Sequence, residues 1–283
     1  MPILTHRTLL LTALAMLAFA GNSLLCRVAL RDTAIDPASF TALRLGSGAL
    51  VLLLLLHVGS QRLAPQGSWL AALALFVYAG AFSLAYRHLD AGVGALILFG
   101  SVQLGMSAWG LFRGERLDLL QSIGLSIAAL GLGLWLLPGS QAPALSGTLL
   151  MIVAGLAWAG YSLIGRGAGD PLANTAGNFL RATPLGLLML LAFAGEWQID
   201  SPGALYALLS GALTSGLGYA VWYAALKHLG AIQGASVQLS VPIIAALLGS
   251  LLLAESLSLR LLLVSVMTVG GIAMVLWGKA RQV

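Results

Sequence analysis

The sequence predicts an all-α integral membrane protein with ten transmembrane helices in two inverted five-helix repeats. Three observations carry this. The 283 residues are 59% hydrophobic and 8% charged, with a mean hydropathy of +0.97. Soluble domains are about a quarter charged, and a soluble fold of this length has no means of hiding so much apolar side chain from water. The apolar residues fall in runs of about 20, the length at which a helix crosses a hydrocarbon core. Finally, short motifs of the first half recur, in order, in the second.

The expected spans are bounded by charge, proline or glycine. The first, 8–30, follows His6 and Arg7. It resembles a signal peptide at its start, but it runs on too far for that and no polar mature domain follows, so it reads as a retained span. The second, 37–57, starts at Pro37 and contains the unbroken apolar run Val51–Leu56. That run excludes a barrel strand, in which polar and apolar residues would alternate. The third and fourth spans, 68–88 and 91–112, are separated by Leu89 and Asp90. The fifth, 118–137, follows Arg113, Glu115 and Arg116, and the sixth, 146–165, ends before Arg166. The seventh, 172–194, follows Asp170 and Pro171; the eighth, 203–227, follows Asp200 and Pro202. The ninth, 230–253, ends before Glu255, and the tenth, 258–277, precedes Lys279 and Arg281. In lipid every backbone group must be satisfied within its own segment, so each span is a helix.

Charge sets the orientation. With the N-terminus in the cytoplasm, the inner segments carry Arg7, Arg62, Arg113, Arg116, Arg166, Lys227, Lys279 and Arg281, and the outer ones Arg31, Arg87 and Arg260. The acids Asp32, Asp36, Asp90, Glu196, Asp200 and Glu255 fall outside. This positive-inside bias places both termini in the cytoplasm of a bacterial-type inner membrane. The net charge of +5 is spread singly between apolar runs, with no basic patch bearing interleaved aromatics, so nucleic acid is not an expected partner. Cys26 is the only cysteine, which excludes an intrachain disulfide and any CxxC metal or redox motif.

The repeat is the most informative feature. Ala20-Gly21-Asn22-Ser23-Leu24-Leu25-Cys26-Arg27 returns as Ala159-Gly160-Tyr161-Ser162-Leu163-Ile164-Gly165-Arg166. Leu43-Arg44 returns as Leu180-Arg181, Arg87-His88-Leu89 as Lys227-His228-Leu229, Gly94-Ala95 as Gly234-Ala235, and Glu115 as Glu255. The offset stays close to about 140 residues, which divides the chain into 1–140 and 141–283. Each half holds an odd number of spans, so the second starts on the opposite side of the membrane. Inverted repeats of this kind are the architecture of alternating-access transporters, with substrate held near the midplane between halves.

These residues resemble the drug/metabolite transporters of the EamA type. The likeness is carried by Trp158-Ala159-Gly160-Tyr161, by the two Leu-Arg pairs, by Ala225-Leu226-Lys227-His228-Leu229-Gly230-Ala231 and by the stretch from Pro242 to Glu255, in order over nearly the whole chain. The chain departs from the family at Val102, where a proline equivalent to Pro242 is common. The resemblance implies a central cavity walled by the third, fourth, eighth and ninth helices with the first and sixth. Among members it points to YddG-type amino-acid exporters.

A transporter pocket is mostly apolar, with a few polar groups that fix the ligand. The candidate substrate-binding residues are Asn22, Tyr78, Tyr86, Phe99, Gln103, Trp158, Tyr161, Trp222 and Gln238, with Ser83 and Tyr223 as further polar groups inside spans. Aromatic walls with amide donors suit an amino acid or another small amphipathic metabolite. Pro242 leaves a carbonyl free one turn earlier, which lipid tolerates only where it lines a cavity or is otherwise satisfied. The duplicated Arg44 and Arg181 read as scaffold contacts to helix-end carbonyls or neighbouring polar groups, and Glu115 and Glu255 as helix-end contacts. No acid falls mid-span, so no obligatory proton or sodium partner is expected. No nucleophile–base set, metal-ligand set or phosphate loop is present, so neither an enzyme nor a cofactor is expected. The remaining readings are drug or sugar-derivative efflux by the same machine and, with no polar stripe or filter to support it, a channel. Lipid bilayer and a small-molecule substrate are the expected partners; the oligomeric state is open, and a monomer is compatible with all of this.

Overall fold

The computed structural model describes residues 6–58, 64–114, 116–134, 137, 143–165, 169–226, 228–229, 234 and 237–281, with Glu196 and 279–281 described by backbone alone. Arg62, Glu115, Arg166, Lys227, Gly230, Ala231, Ala235 and the expected boundary at 140–141 lie outside the described residues, as do the side chains of Lys279 and Arg281.

The described residues form helices joined by short connections, with no strand among them. They are α1 (His6–Asp32), α2 (Pro37–Val58), α3 (Trp69–Tyr86), α4 (Ala91–Phe112), α5 (Leu119–Leu134), α6 (Leu145–Ile164) and α7 (Pro171–Ala192). A 3₁₀ turn at Ala194–Glu196 leads to α8 (Ser201–Leu209), which runs through a π-helical stretch, Ser210–Leu217, into α9 (Gly218–Leu226). Then come α10 (Ser240–Leu253) and α11 (Leu259–Arg281). Seven helical segments are long and apolar enough to cross a membrane: α1 to α4, α6, the continuous 201–226 helix and α11. α5 and α10 are shorter apolar helices. α7 has the length but carries Asn174, Asn178 and Arg181.

Local chemistry sets the helix starts. The Asp36 carboxylate accepts the backbone N–H groups of Ala38 and Ser39, each at 2.9 Å, ahead of a proline in the first turn. Asp170 repeats the device before Pro171, accepting from Ala173 at 2.9 Å. An N-cap oxygen satisfies an orphan donor, and proline has no N–H to lose at that position. Asp118 and Gln121 cap α5 reciprocally, at 2.7 and 2.8 Å. The expected ninth span begins at 230; Gly234, Val237 and Gln238 are helical, a turn falls at Leu239 and α10 runs from Ser240, while 230–233 and 235–236 lie outside the described residues. Pro242 has no N–H to return to the Gln238 carbonyl, so the ladder is broken at that turn.

Leu9, Leu10, Leu14 and Leu17 of α1 face outward, while Thr8, Thr12, Ala15, Asn22, Ser23 and Cys26 share its buried face with Met16 and Phe19. Lipid accepts leucine as readily as a core does, so small and polar residues take the helix–helix contacts. α5 and α11 approach each other closely. A Cβ on Gly124 would stand 2.5 Å from the carbonyl oxygen of Gly271, and one on Gly271 would stand 2.5 Å from that of Gly124. Gly131 meets Thr268, so the residue order runs in opposite directions and the pair is antiparallel.

The remaining packing surrounds a centre. α3 packs on α6 and α7; α1 packs on α8, the π stretch, α9 and α10; α2 packs on α7 and the π stretch; α4 packs on α6 and α10.

Candidate functional site

The principal cavity encloses about 400 Å³, within the roughly 300–1,000 Å³ range of small-molecule sites. Its aromatic walls are Trp158 and Tyr161 from α6 and Tyr219, Trp222 and Tyr223 from α9. Its polar groups are Gln103 on α4, Ser162 on α6, Asn174, Thr175 and Asn178 on α7, and Gln238. Among the described residues that line it, none is charged. The lining runs from Val102 and Trp158, in mid-helix, to Gly165, Pro171 and Leu226 at helix ends, so the cavity reaches the surface at that end.

A second compartment, of about 20 Å³, lies deeper and is lined by Phe19, Asn22, Ser23, Tyr78, Phe82, Leu98, Phe99 and Thr214. Trp158, Tyr219 and Gln238 line both spaces and form the partition. The rings are in mutual contact: Trp158 lies 4.8 Å from Tyr78 and 5.3 Å from both Tyr161 and Tyr219, centroid to centroid. Phe19 meets Tyr219 edge-on at 5.8 Å.

Of the nine candidates, Gln103, Trp158, Tyr161, Trp222 and Gln238 line the main cavity, and Asn22, Tyr78, Phe99, Trp158 and Gln238 line the inner compartment. Tyr86 lines neither. It is fully buried, its ring packs edge-on against Phe82 at 4.6 Å and its hydroxyl donates to the Ala91 carbonyl at 3.3 Å. The Asn22 side-chain oxygen accepts from Ser210 at 2.7 Å and Thr214 at 3.2 Å, which ties α1 to the π stretch. π turns in otherwise regular helices collect at functional sites. Gln238 donates to the Gly234 carbonyl at 3.2 Å, so its amide nitrogen is tethered beside the partition.

Sequence reasoning missed α7. Asn174, Thr175 and Asn178 stand on one helical face, a spacing that was available to read. It also missed Phe19, Thr214 and Tyr219.

An ion-pair network ties the end of α1 to the start of α4 and to the connection behind α10. Arg27, near the end of α1, donates from Nη2 to Asp90 Oδ1 at 3.0 Å and from Nε to Glu255 Oε1 at 3.1 Å. Its Nη1 donates to the Tyr86 carbonyl at 3.0 Å. Arg31 stands 4.0 Å from Glu255 Oε1 and donates to the Leu253 carbonyl at 3.1 Å. The second Glu255 oxygen accepts the Ala91 N–H at 2.8 Å and so caps α4 from across the bundle, whereas the side chain of Asp90, the residue at the cap position, makes no cap bond. The Arg27 and Glu255 side chains are 11% and 7% exposed, so the pair is largely dehydrated. Burial, and then the neighbouring Asp90 charge, raise the Glu255 carboxyl above its ordinary value, against the Ala91 N–H and Arg27, which lower it.

The duplicated arginines part company. Arg181 donates to the carbonyls of Gln66 and Gly177 at 2.7 and 2.9 Å. Arg44 is 1% exposed; it donates to Tyr78 Oη at 3.1 Å and Ser215 Oγ at 3.3 Å and lies 5.2 and 5.0 Å from the Tyr78 and Phe82 ring centroids.

The EamA-like transporter family matches the chain twice, over residues 6–137 and 145–277. An uncharacterised protein of Pseudomonas aeruginosa is 62% identical over 272 residues, covering 96% of this chain and 95% of its own length. The uncharacterised transporter YoaV of Bacillus subtilis is 25% identical over 262 residues, covering 85% of this chain and 87% of its own. An uncharacterised transporter of Archaeoglobus fulgidus is 27% identical over 289 residues, covering 95% and 97%. A protein of solved crystal structure, 20% identical, superposes with a TM-score of 0.69 over 98% of this chain and 99% of its own, which marks a shared fold.

Proposed function

This chain belongs to the EamA-like transporter family, and on that premise we propose that it is an inner-membrane exporter of amino acids that works by alternating access. It is a multi-pass membrane transporter, with small molecules as substrate and the bilayer as solvent. The observation that carries the finer reading is the cavity. Aromatic rings and uncharged amides and hydroxyls wall a space of about 400 Å³ that is reached from one end, with the Arg27 network at the other. Rings suit an apolar side chain or an ammonium group, and amides orient a small polar head.

The two-repeat reading, 1–140 and 141–283, draws support from the tandem family match and from the packing. Under a five-helix offset, α3 on α6 answers to the 201–226 helix on α1, and α4 on α6 answers to α10 on α1. α3 on α7 answers to the π-containing helix on α2, and α2 with α7, α4 with α10 and α5 with α11 map onto themselves. Contacts related by such an axis are what an inverted duplication requires. With the positive-inside orientation, the open end faces the cytoplasm, where an exporter loads, and the ion-pair network closes the outer side. Among the described residues the lining offers no acid to carry a proton or sodium, and on this reading transport proceeds without an obligatory ion.

Counterflow of radiolabelled amino acids in proteoliposomes tests this. Saturable exchange, unaffected by proton or sodium gradients, is the expected result. Conductance without saturation, uphill accumulation driven by either ion, or exchange only of uncharged drugs or sugar derivatives overturns it.

A further inference from the structure

The guanidinium of Arg44 is a buried charge whose partners do not fully compensate it. It lies within a membrane-spanning helix and is 1% exposed. Among the described residues no carboxylate stands within ion-pair reach of it. Two hydroxyls and two ring faces meet it, and Nη1 is buried without a hydrogen-bond partner. An intramembrane charge is costly unless something pairs with it, and an unmade hydrogen bond on a buried charged group costs more than one on a neutral group. The duplicated Arg181 avoids this expense with two backbone carbonyls. A scaffold contact would have been met the same way in both halves.

Arg44 also has a location. Tyr78 and Phe82, whose rings it faces, both line the inner compartment, and Ser215 adjoins the compartment's Thr214 on the π stretch. Tyr78 in turn packs against Trp158, which borders the main cavity. The guanidinium therefore stands one ring away from the route a substrate takes inward.

We propose that Arg44 is the counter-charge for a carboxylate on the transported substrate, engaged through its free Nη1 when the cavity closes around the ligand. The proposal deepens the amino-acid reading above and rests on it for the remainder of the ligand. One guanidinium balances one monoanion, and no cation lines either space itself among the described residues, so a carboxylate fits where a phosphate dianion does not. At about 20 Å³ the inner compartment holds no carboxylate in the present state, so the Tyr78 ring turns aside as the ligand seats. Its hydroxyl, already on Nη2, travels with the guanidinium's hydrogen-bond set. The aromatic partition leaves Trp158 and Tyr219 to face the substrate's ammonium group or side chain.

The test uses matched pairs against the full-length protein in nanodiscs, read by tryptophan fluorescence and thermal shift: leucine with leucinamide, phenylalanine with phenylalaninamide, and phenylpropionate with phenylpropionamide. The acid of each pair binds wild type about tenfold or more tighter than its amide, as a charge-assisted bond requires. Arg44→Gln brings the ratio to about one, and Arg44→Lys keeps part of it. Equal binding of acid and amide by wild type overturns the proposal, even if Arg44→Gln fails to fold. So does a preference that survives in Arg44→Gln, or binding of no pair at all. If amino acids exchange in proteoliposomes but Arg44→Gln keeps the acid preference, this assignment fails and the amino-acid reading stands. If only the phenylpropionate pair shows an Arg44-dependent preference, the amino-acid reading fails and this assignment stands.

Discussion

Arg27 and Glu255 meet at 3.1 Å, joining the end of α1 to the connection behind α10, while the second oxygen of the same carboxylate caps α4 through the Ala91 N–H. One acid thereby fastens three parts of the bundle at the end away from the cavity mouth. Cys26, the residue before Arg27, is fully buried behind this fastening and is the only cysteine.

That arrangement makes Cys26 a reporter of opening. Truncating one partner of a dehydrated pair costs about 2 kcal/mol or more, so Arg27→Ala, which leaves the Glu255 carboxylate unpaired, raises the rate at which an impermeant maleimide labels Cys26 by about tenfold or more. Asp90→Asn has a smaller effect, because Asp90 is 42% exposed and water already screens its bond. Equal rates in wild type and Arg27→Ala would mean the network bars nothing.

The same carboxylate gives a pH dependence whose sign is opposite to intuition. Burial raises Glu255 in the fastened state. Released into water, it returns to an ordinary carboxylate value. The fastened state therefore binds the proton more tightly, and acidification favours it as pH falls from above the raised value to the ordinary one. Raising the pH loosens the end instead. Cys26 labelling in wild type, divided by labelling in Glu255→Gln at each pH to cancel thiol chemistry, falls on acidification. A ratio that rises on acidification removes Glu255 as the titrating group.

The sequence exposed some of this and hid the rest for identifiable reasons. Trp158 and Gln238 stood out because amphipathic groups in mid-span are costly without a purpose, and both line the partition. Asn174, Thr175 and Asn178 were equally legible on one face of α7, although the helices that the family resemblance implies around the cavity do not include it. Glu255 over α4 was not legible, since it joins residues 164 apart and leaves the local cap position unused. Arg44 and Arg181 share a Leu-Arg motif and differ only in neighbours: hydroxyls and rings around one, carbonyls around the other. The π stretch was not legible either, and it lies where its helix meets α2. A Cβ on Gly211 would stand 2.2 Å from the Arg44 carbonyl oxygen, so this helix is pressed against α2.

Close packing of α5 on α11 depends on two glycines. A Cβ on Gly271 meets backbone, which cannot yield as a side-chain tip does. Gly271→Val costs about 1–3 kcal/mol through forced separation of the helices. It lowers the unfolding midpoint in detergent, with substrate affinity unchanged in the fraction that remains folded, because neither glycine lines the cavity. Gly133, which has open space around its Cβ position, tolerates the same change.

Tyr86 and Asn178 separate scaffold from cavity. Both are buried polar residues in helices, and only Asn178 lines the main space. Tyr86→Phe removes a hydroxyl that bonds the Ala91 carbonyl and the Ser23 side chain, about 1 kcal/mol of stability for each bond, and keeps the ring that packs on Phe82. It therefore lowers the thermal midpoint slightly and leaves counterflow affinity where it was. Asn178→Ala removes an amide from the wall of the cavity and also the acceptor of the Ser68 N–H, 3.0 Å away. Loss of the second contact alone would lower stability without touching transport. Asn178→Asp keeps an acceptor for Ser68 but places a negative charge in an uncharged wall, so it weakens binding of a carboxylate-bearing ligand while the Ser68 contact persists. A normal half-saturation concentration in Asn178→Asp, or a large rise in Tyr86→Phe, would mean that the substrate rests against a different wall from the one drawn by this cavity.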